Sequence, residues 1–288
     1  MPPNKGMDLT VKSDTSFCKE KRKGRAAFAC SSSQPLGCQQ NNVSMNDWFK
    51  IISETCELPA DAAHELYHRG FVVLPQALPR ESVGPLTDAY NAALFSAIRE
   101  DTKVGSTSTR VEDFVNRGKE FDHLYVLSPL LSACCRVIGR PFKLSSFHAR
   151  TLRPHSGSGE LHTDVQRNSV DWPLLSFILM VDDFRPENGA TRFVPGSHHS
   201  PCVPQDTLSD LRAHSDGQVQ ACGPAGSLLI FHGSVWHDHS ANKSGKPRRS
   251  LQGAFIPRDG HAGTDFAVHM QPETRARISP LAQYVLAL

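Results

Sequence analysis

No stretch of this 288-residue chain approaches the eighteen or so consecutive apolar residues of a membrane-spanning helix. Nor does an apolar signal-peptide core stand near its start. Neither sign of charge dominates: 31 Lys and Arg face 29 Asp and Glu, for a formal net charge of +2. Nucleic acid and an anionic membrane surface are therefore not expected as main partners. The eight cysteines include no C-x-x-C pair, which removes zinc-ribbon and thioredoxin readings. A chain this long needs no disulfide scaffold, so reduced thiols in an intracellular compartment, the cytoplasm, are expected. No internal repeat occurs. What the chain does have is histidine, 14 of them, a count that suits metal chemistry without proving it.

Residues 1–44 are rich in Ser, Lys, Gln, Asn and Gly, carry the basic cluster Lys19 to Lys23, and show no aliphatic period. They read as a disordered, solvated tail, and residues 45–288 as a single domain. Residues 47–52 and 60–69 read as helices, the second ended by Gly70 as a C-cap, followed by a short strand at 71–75. Residues 80–100 read as an amphipathic helix with Val83, Leu86, Tyr90, Leu94 and Ile98 along one face, and 128–139 as a further helix. Past Pro141 the pattern changes to short strands, at 142–152, 174–181, 190–194, 227–231 and 249–256, separated by Pro, Gly, Asn and Asp clusters. Strands without intervening helices predict an antiparallel sandwich or jelly roll, mainly β, with a helical N-terminal layer packed on it.

Two His-x-acid matches occur, His162/Asp164 and His214/Asp216, about what chance provides in so histidine-rich a chain. Context separates them. His214 lies in a polar, loop-like stretch, whereas His162 follows a strand and the Ser156–Gly159 turn. In extended backbone, residues i and i+2 point to the same side, so His162 and Asp164 can reach one ion. A third ligand must come from elsewhere, and His232, His237 and His239 all qualify. His237 is preferred, because Trp236 would wall it and the Gly233-Ser234 turn would aim it at the core. Two imidazoles and one carboxylate cap one face of an octahedral ion and leave three positions open, the arrangement of a non-haem Fe(II) centre that activates dioxygen. Such a centre needs electrons. A 2-oxo acid, 2-oxoglutarate above all, supplies them and asks for a guanidinium in a dry pocket to hold its far carboxylate. Arg248 qualifies: Asn242 to Gly245 reads as a turn, which would start Arg248 on a strand beside the one bearing His237. The plainer reading makes Arg248 and Arg249 surface cations.

His162-Thr163-Asp164, the run from Val181 to His198, and Gly226 through Arg248 with its Trp-His and Pro-Arg together resemble the phytanoyl-CoA dioxygenase family of Fe(II)/2-oxoglutarate oxygenases, over about Leu66 to Arg258. The resemblance implies a double-stranded β-helix (jelly roll, cupin-like), with iron on His162, Asp164 and His237 and the distal carboxylate of 2-oxoglutarate on Arg248. Arg110 stands where relatives carry a basic residue that helps bind co-substrate or substrate. Thr163 replaces the family's usual Gln and relatives have an aromatic near Ile178; the resemblance implies that both positions line the pocket, with Thr163 touching substrate, and Trp172 either walls that pocket or packs the core. His198 and His199 fall in a segment the family uses as a turn, not as ligands.

The implied reaction consumes O2 and 2-oxoglutarate, hydroxylates or desaturates a small-molecule or acyl substrate, and releases succinate and CO2. Two rivals stand beside it. One is a cupin-like metal-binding protein without 2-oxoglutarate turnover. The other is an isomerase or single-substrate dioxygenase, for which His237-Asp238-His239 offers an H-x-H pair. Specificity is expected in the loops at 105–121 and 201–222.

Overall fold

The computed structural model of the chain describes residues 45–165, 173–213, 215 and 217–288. The expected tail, Trp172 and the His214/Asp216 match lie outside the described residues. Helices α1 (Met45–Thr55), α2 (Ala60–Arg69), α3 (Arg80–Phe95) and α4 (Ser128–Ile138) make the N-terminal layer. Strands β1 (Phe71–Leu74), β2 (Thr102–Val104), β3 (Ser108–Val111), β4 (Phe142–Leu152), β5 (Leu175–Met180), β6 (Thr191–Phe193), β7 (Val219–Ala221), β8 (Leu228–His232), β9 (His237–His239) and β10 (Arg248–Pro257) follow. They form two antiparallel sheets, β1-β8-β5-β10-β4-β3-β2 and β7-β6-β9, the jelly roll expected from the sequence.

The period-2 alternation of the large sheet decides where each side chain goes. On β5 and β8, Leu175, Phe177, Leu179, Leu228 and Ile230 point outward into one apolar cluster with Leu86 and Tyr90 of α3 and Leu130 and Leu131 of α4. Their alternates Ile178, Met180, Leu229 and Phe231 point inward and pack with Phe193 of the small sheet and with Phe71. Each such side chain, fully buried, stabilises by about 1.5–3 kcal/mol, so β5, buried at every position, is the keystone between the two clusters. Inward positions of the neighbouring strands are polar instead, Ser146, His148 and Arg150 on β4 and Arg248 and Gln252 on β10. One end of the roll is therefore a core and the other a cavity.

Several sequence expectations need correction. The helix at 80–100 stops at Phe95. Leu86, Tyr90 and Ala93 are buried, but Phe95 is 95% exposed and Ile98 58%, so no core is left to extend the helix. The Ser96 hydroxyl also bonds back to the Ala93 carbonyl at 3.2 Å, a cap that ends the last turn. Arg248 does begin a strand, yet β10 pairs with β4 and β5, in the sheet opposite β9. After β9 the chain bridges Asn242 to Ser156 and Asn188, then crosses between sheets, so Arg248 faces His237 across the roll and not along a ladder. Strands β2, β3, β7 and β9, of three or four residues, were too short for any period to show.

Gly70 caps α2 as expected, with φ 81° and its N–H donating to the Leu66 carbonyl at 3.0 Å. Gly189 sits at φ 87°, where an added Cβ would overlap the Leu152 side chain and lie 3.1 Å from the Ser240 carbonyl oxygen. Gly189→Ala is expected to lower stability by about 2–4 kcal/mol through left-handed strain and overpacking. Urea unfolding midpoints of the two proteins check this.

Candidate metal centre and its cavity

His162 and His237 lie far apart in sequence, and a backbone pair unites them. His162 N–H donates to the His237 carbonyl at 3.0 Å, and His237 N–H returns the bond to the His162 carbonyl at 2.9 Å. Residues that exchange both bonds stand directly opposite, with side chains on one face, and the two rings are 4.4 Å apart. Asp164 joins them by the i, i+2 rule, its N–H held by the Gly233 carbonyl at 2.8 Å. One ligand atom from each of His162, Asp164 and His237 falls within 4.8 Å of the other two.

The hydrogen bonds around the triad leave those atoms free. His162 Nδ1 lies 2.7 Å from the Glu160 carbonyl oxygen and His237 Nδ1 lies 2.9 Å from that of Val235. A carbonyl only accepts, so both Nδ1 atoms carry the proton and both Nε2 lone pairs are available. The Ser176 hydroxyl donates to Asp164 Oδ2 at 2.6 Å, while Oδ1 faces His237 Nε2 at 3.5 Å and His162 Nε2 at 3.9 Å. Burial lowers the basicity of His237, against the pull of Asp164, and so favours the neutral ring that binds metal. Phe193 and Phe231 close one side of that ring, with centroids 5.7 and 4.8 Å away.

Arg248 shares the same cavity, of about 470 Å³. It is 2% exposed, its Cζ stands 3.9 Å above the Phe184 ring, and its Nε and Nη1 have no hydrogen-bond partner among the described residues. Burial, then the charge of Arg150, push its guanidinium down to about 9. The Asn242 side chain organises the approach: Oδ1 accepts from Ser244 N–H at 3.0 Å and from its hydroxyl at 2.7 Å, and Nδ2 donates to the Lys246 carbonyl at 2.9 Å. The surface-cation reading fails for Arg248. For Arg249 it fails too, since that residue pairs with Asp182 at 2.6 Å.

Other expected residues divide. Arg110 reaches the cavity mouth, where Glu112 holds it at 2.8 Å. Thr163 points away from the cavity, as the residue between two inward neighbours must, and its hydroxyl donates to the Val165 carbonyl at 2.7 Å. His239 lines the cavity beside His237, but its Nε2 engages the Thr107 hydroxyl at 3.2 Å and its Nδ1 the Ser240 carbonyl at 3.1 Å. The intervening Asp238 points the other way, into a buried ion pair with Arg192. His232 lies outside the triad, with Nδ1 accepting from Ser234 N–H at 3.2 Å, near His198. Cavity-lining Ser176, Thr191, His148, Arg150 and Gln252 escaped the sequence reading. The alternation Ser146-x-His148-x-Arg150 between Phe147 and Ala149 was the available signal: polar side chains on a face that should be apolar.

Burial, then the charges of His198 and His199, push the His232 imidazole from 6.5 down to about 4. The unfolded chain then binds more protons between those values, so stability is expected to be lost as pH falls from about 6.5 to 4, by up to ~1.4 kcal/mol per pH unit from this group. Denaturation midpoints at pH 7, 5.5 and 4.5 should show the loss, with a shallower slope in His232→Asn.

Among the described residues no single helix is long and apolar enough to cross a membrane. The profile of the phytanoyl-CoA dioxygenase (PhyH) family matches residues 66–250. Dioxygenase cdmA of Talaromyces verruculosus is 38% identical over 213 residues, 67% of this chain and 71% of that protein. Dioxygenase trt7 of Aspergillus terreus is 26% identical over 249 residues, 78% of this chain and 82% of its own length. The crystal structure of HygX from Streptomyces hygroscopicus, with nickel and 2-oxoglutarate bound, shares the fold at TM-score 0.59 and 15% identity, over 70% of this chain and 88% of that one. The chain belongs to the phytanoyl-CoA dioxygenase family of Fe(II)- and 2-oxoglutarate-dependent oxygenases.

Proposed function

We propose that this protein hydroxylates or desaturates a C–H position of a small molecule, with His162, Asp164 and His237 as the iron ligands and Arg248 as the anchor of 2-oxoglutarate. The observation that carries the reading is the match between donor set and orphan cation. Two Nε2 lone pairs and one carboxylate oxygen converge, a donor set that would leave three positions of an octahedral ion free, and in the same cavity a buried guanidinium has no ion-pair or hydrogen-bond partner at Nε and Nη1 among the described residues. Arg248 is thus complementary to a carboxylate that the protein itself does not provide. When bound, Fe(II) with 2-oxoglutarate and dioxygen supplies the oxidising power, and succinate and CO2 leave.

The chain's own residues bind, orient and keep water out. Glu160 and Val235 carbonyls fix the two rings; Ser176 holds Asp164 so that Oδ1 points inward. Phe193 and Phe231 cover the centre from the apolar end of the roll. Asp164 would hold iron from a position that a halide would otherwise need, which favours oxygen insertion or desaturation over halogenation. The rival built on an H-x-H pair is disfavoured by His239, whose Nε2 is spent on Thr107.

Anaerobic titration of Fe(II)-loaded protein with 2-oxoglutarate is the test. A weak visible charge-transfer band that saturates near one equivalent is expected. Fully iron-loaded protein with no band at any 2-oxoglutarate concentration would remove the assignment.

A further inference from the structure

The cavity holds more positive charge than iron and 2-oxoglutarate can use. Loaded, the ferrous ion contributes two positive charges and Arg248 one, against one negative charge from Asp164 and two from the co-substrate, which sum to zero. Asp238 neutralises Arg192, outside this sum, and Glu112 is shared between Lys103 at 3.1 Å and Arg110 at 2.8 Å. One charge is thus left over between Lys103 and Arg110, and Arg150 is left with no ion-pair partner among the described residues. It projects inward from β4, directly opposite Arg110 in the register of β3 with β4. Its one side-chain hydrogen bond runs from Nε to the Ser108 hydroxyl at 3.1 Å, and no carboxylate lies within ion-pair distance among the described residues. Beside it on β4, His148 is 7% exposed with Nδ1 unpartnered, and Gln252 is its cross-strand neighbour on β10.

Arg150 is half-buried, and a guanidinium partly withdrawn from water without a counter-ion is a cost to the folded protein. Stability alone does not account for it, since a neutral side chain at the same inward position would avoid that cost. Burial and the neighbouring Arg110 both disfavour its charge, which Asp164 only partly supports. A cation kept under those conditions is suited to an anion that arrives from solution, and its fork geometry matches a carboxylate.

We infer that Arg150 is a substrate-recognition residue and that the substrate of this enzyme carries a carboxylate, received by Arg150 with His148 and Gln252 beside it. The inference rests on the oxygenase reading above and narrows its substrate class. A carboxylate held there fixes the molecule against the cavity wall formed by β4, so the C–H presented to the metal is set by its distance from that carboxylate. Neutral esters of the same skeleton lose this anchor.

The test uses full-length protein loaded anaerobically with Fe(II) and saturating 2-oxoglutarate, so that Arg248 is already engaged. Octanoate, benzoate and cinnamate are titrated against their methyl esters by calorimetry, with the charge-transfer band as a second readout. At least one acid is expected to bind ten-fold or more tightly than its ester and to shift the band. Arg150→Gln should erase that preference, Arg150→Lys should keep part of it, and both should leave the 2-oxoglutarate half-saturation within two-fold of wild type. Two results overturn the inference. One is no acid–ester preference in any pair. The other is a 2-oxoglutarate requirement raised in Arg150→Gln, which assigns Arg150 to the co-substrate. A wild-type protein that shows no band at all indicts the oxygenase reading instead, and calorimetry of the acids on metal-free protein then decides the anion site separately.

Discussion

Asp164→Ala is expected to abolish iron retention and turnover while leaving the fold intact. The carboxylate is the only anionic ligand of the proposed centre, and its loss leaves two neutral imidazoles to hold a divalent cation. Removing a partner that merely orients a metal ligand typically costs about 10–100-fold in affinity or activity, so losing the ligand itself should exceed about 100-fold in both. Iron per chain after anaerobic loading and desalting should fall from near one to a small fraction, and succinate formation should fall with it. The side chain is 29% exposed and its main structural bond is from Ser176. Its truncation strips one hydroxyl of an acceptor, worth about 1–3 kcal/mol of stability. A thermal melt that stays cooperative, beside missing iron, separates loss of ligand from loss of fold. Ser176→Ala supplies the intermediate case, retaining iron with reduced affinity.

Arg248→Met is expected to move stability and co-substrate binding in opposite directions. In wild type the guanidinium is buried, has no hydrogen-bond partner at Nε and Nη1 among the described residues, and stands over the Phe184 face. A cation–π contact contributes up to about 2 kcal/mol when desolvated, less than the several kcal/mol of burying the ion. Methionine fills a similar length without charge, so the co-substrate-free variant should be at least as stable as wild type. The 2-oxoglutarate requirement should rise steeply. Two charge-assisted hydrogen bonds at about 1.5–3 kcal/mol each correspond to roughly 10²–10⁴-fold in affinity. Wild-type protein should gain thermal stability when iron and 2-oxoglutarate are added together, by linkage, and the variant should gain almost none at the same concentration. A variant that is less stable and binds 2-oxoglutarate normally would return Arg248 to a purely structural role.

Much of this arrangement was readable from the chain, and the failures have physical causes. The long strands β4 and β10 were found because ten or more residues give alternation room to show. Gly70 was found because positive φ leaves a chemical trace in the sequence. The pairing of His162 with His237 was only one choice among three histidines, since a single bridge from an irregular segment to the three-residue strand β9 leaves no periodic signal. Arg248 was assigned the right strand start and the wrong sheet. Local turn chemistry reports that the chain reverses, not which sheet it then joins. Arg150 and His148 passed unnoticed because inward polar positions on a core strand look like outward ones until the opposite face is known.

Anomalous diffraction at the iron edge, from crystals loaded with Fe(II) without oxygen, tests the central claim most directly. A single peak is predicted about 2.0–2.2 Å from His162 Nε2, Asp164 Oδ1 and His237 Nε2, the range of ordinary nitrogen and carboxylate bonds to such ions. A peak on His239, or one among His198, His199 and His232 with the triad empty, would contradict it.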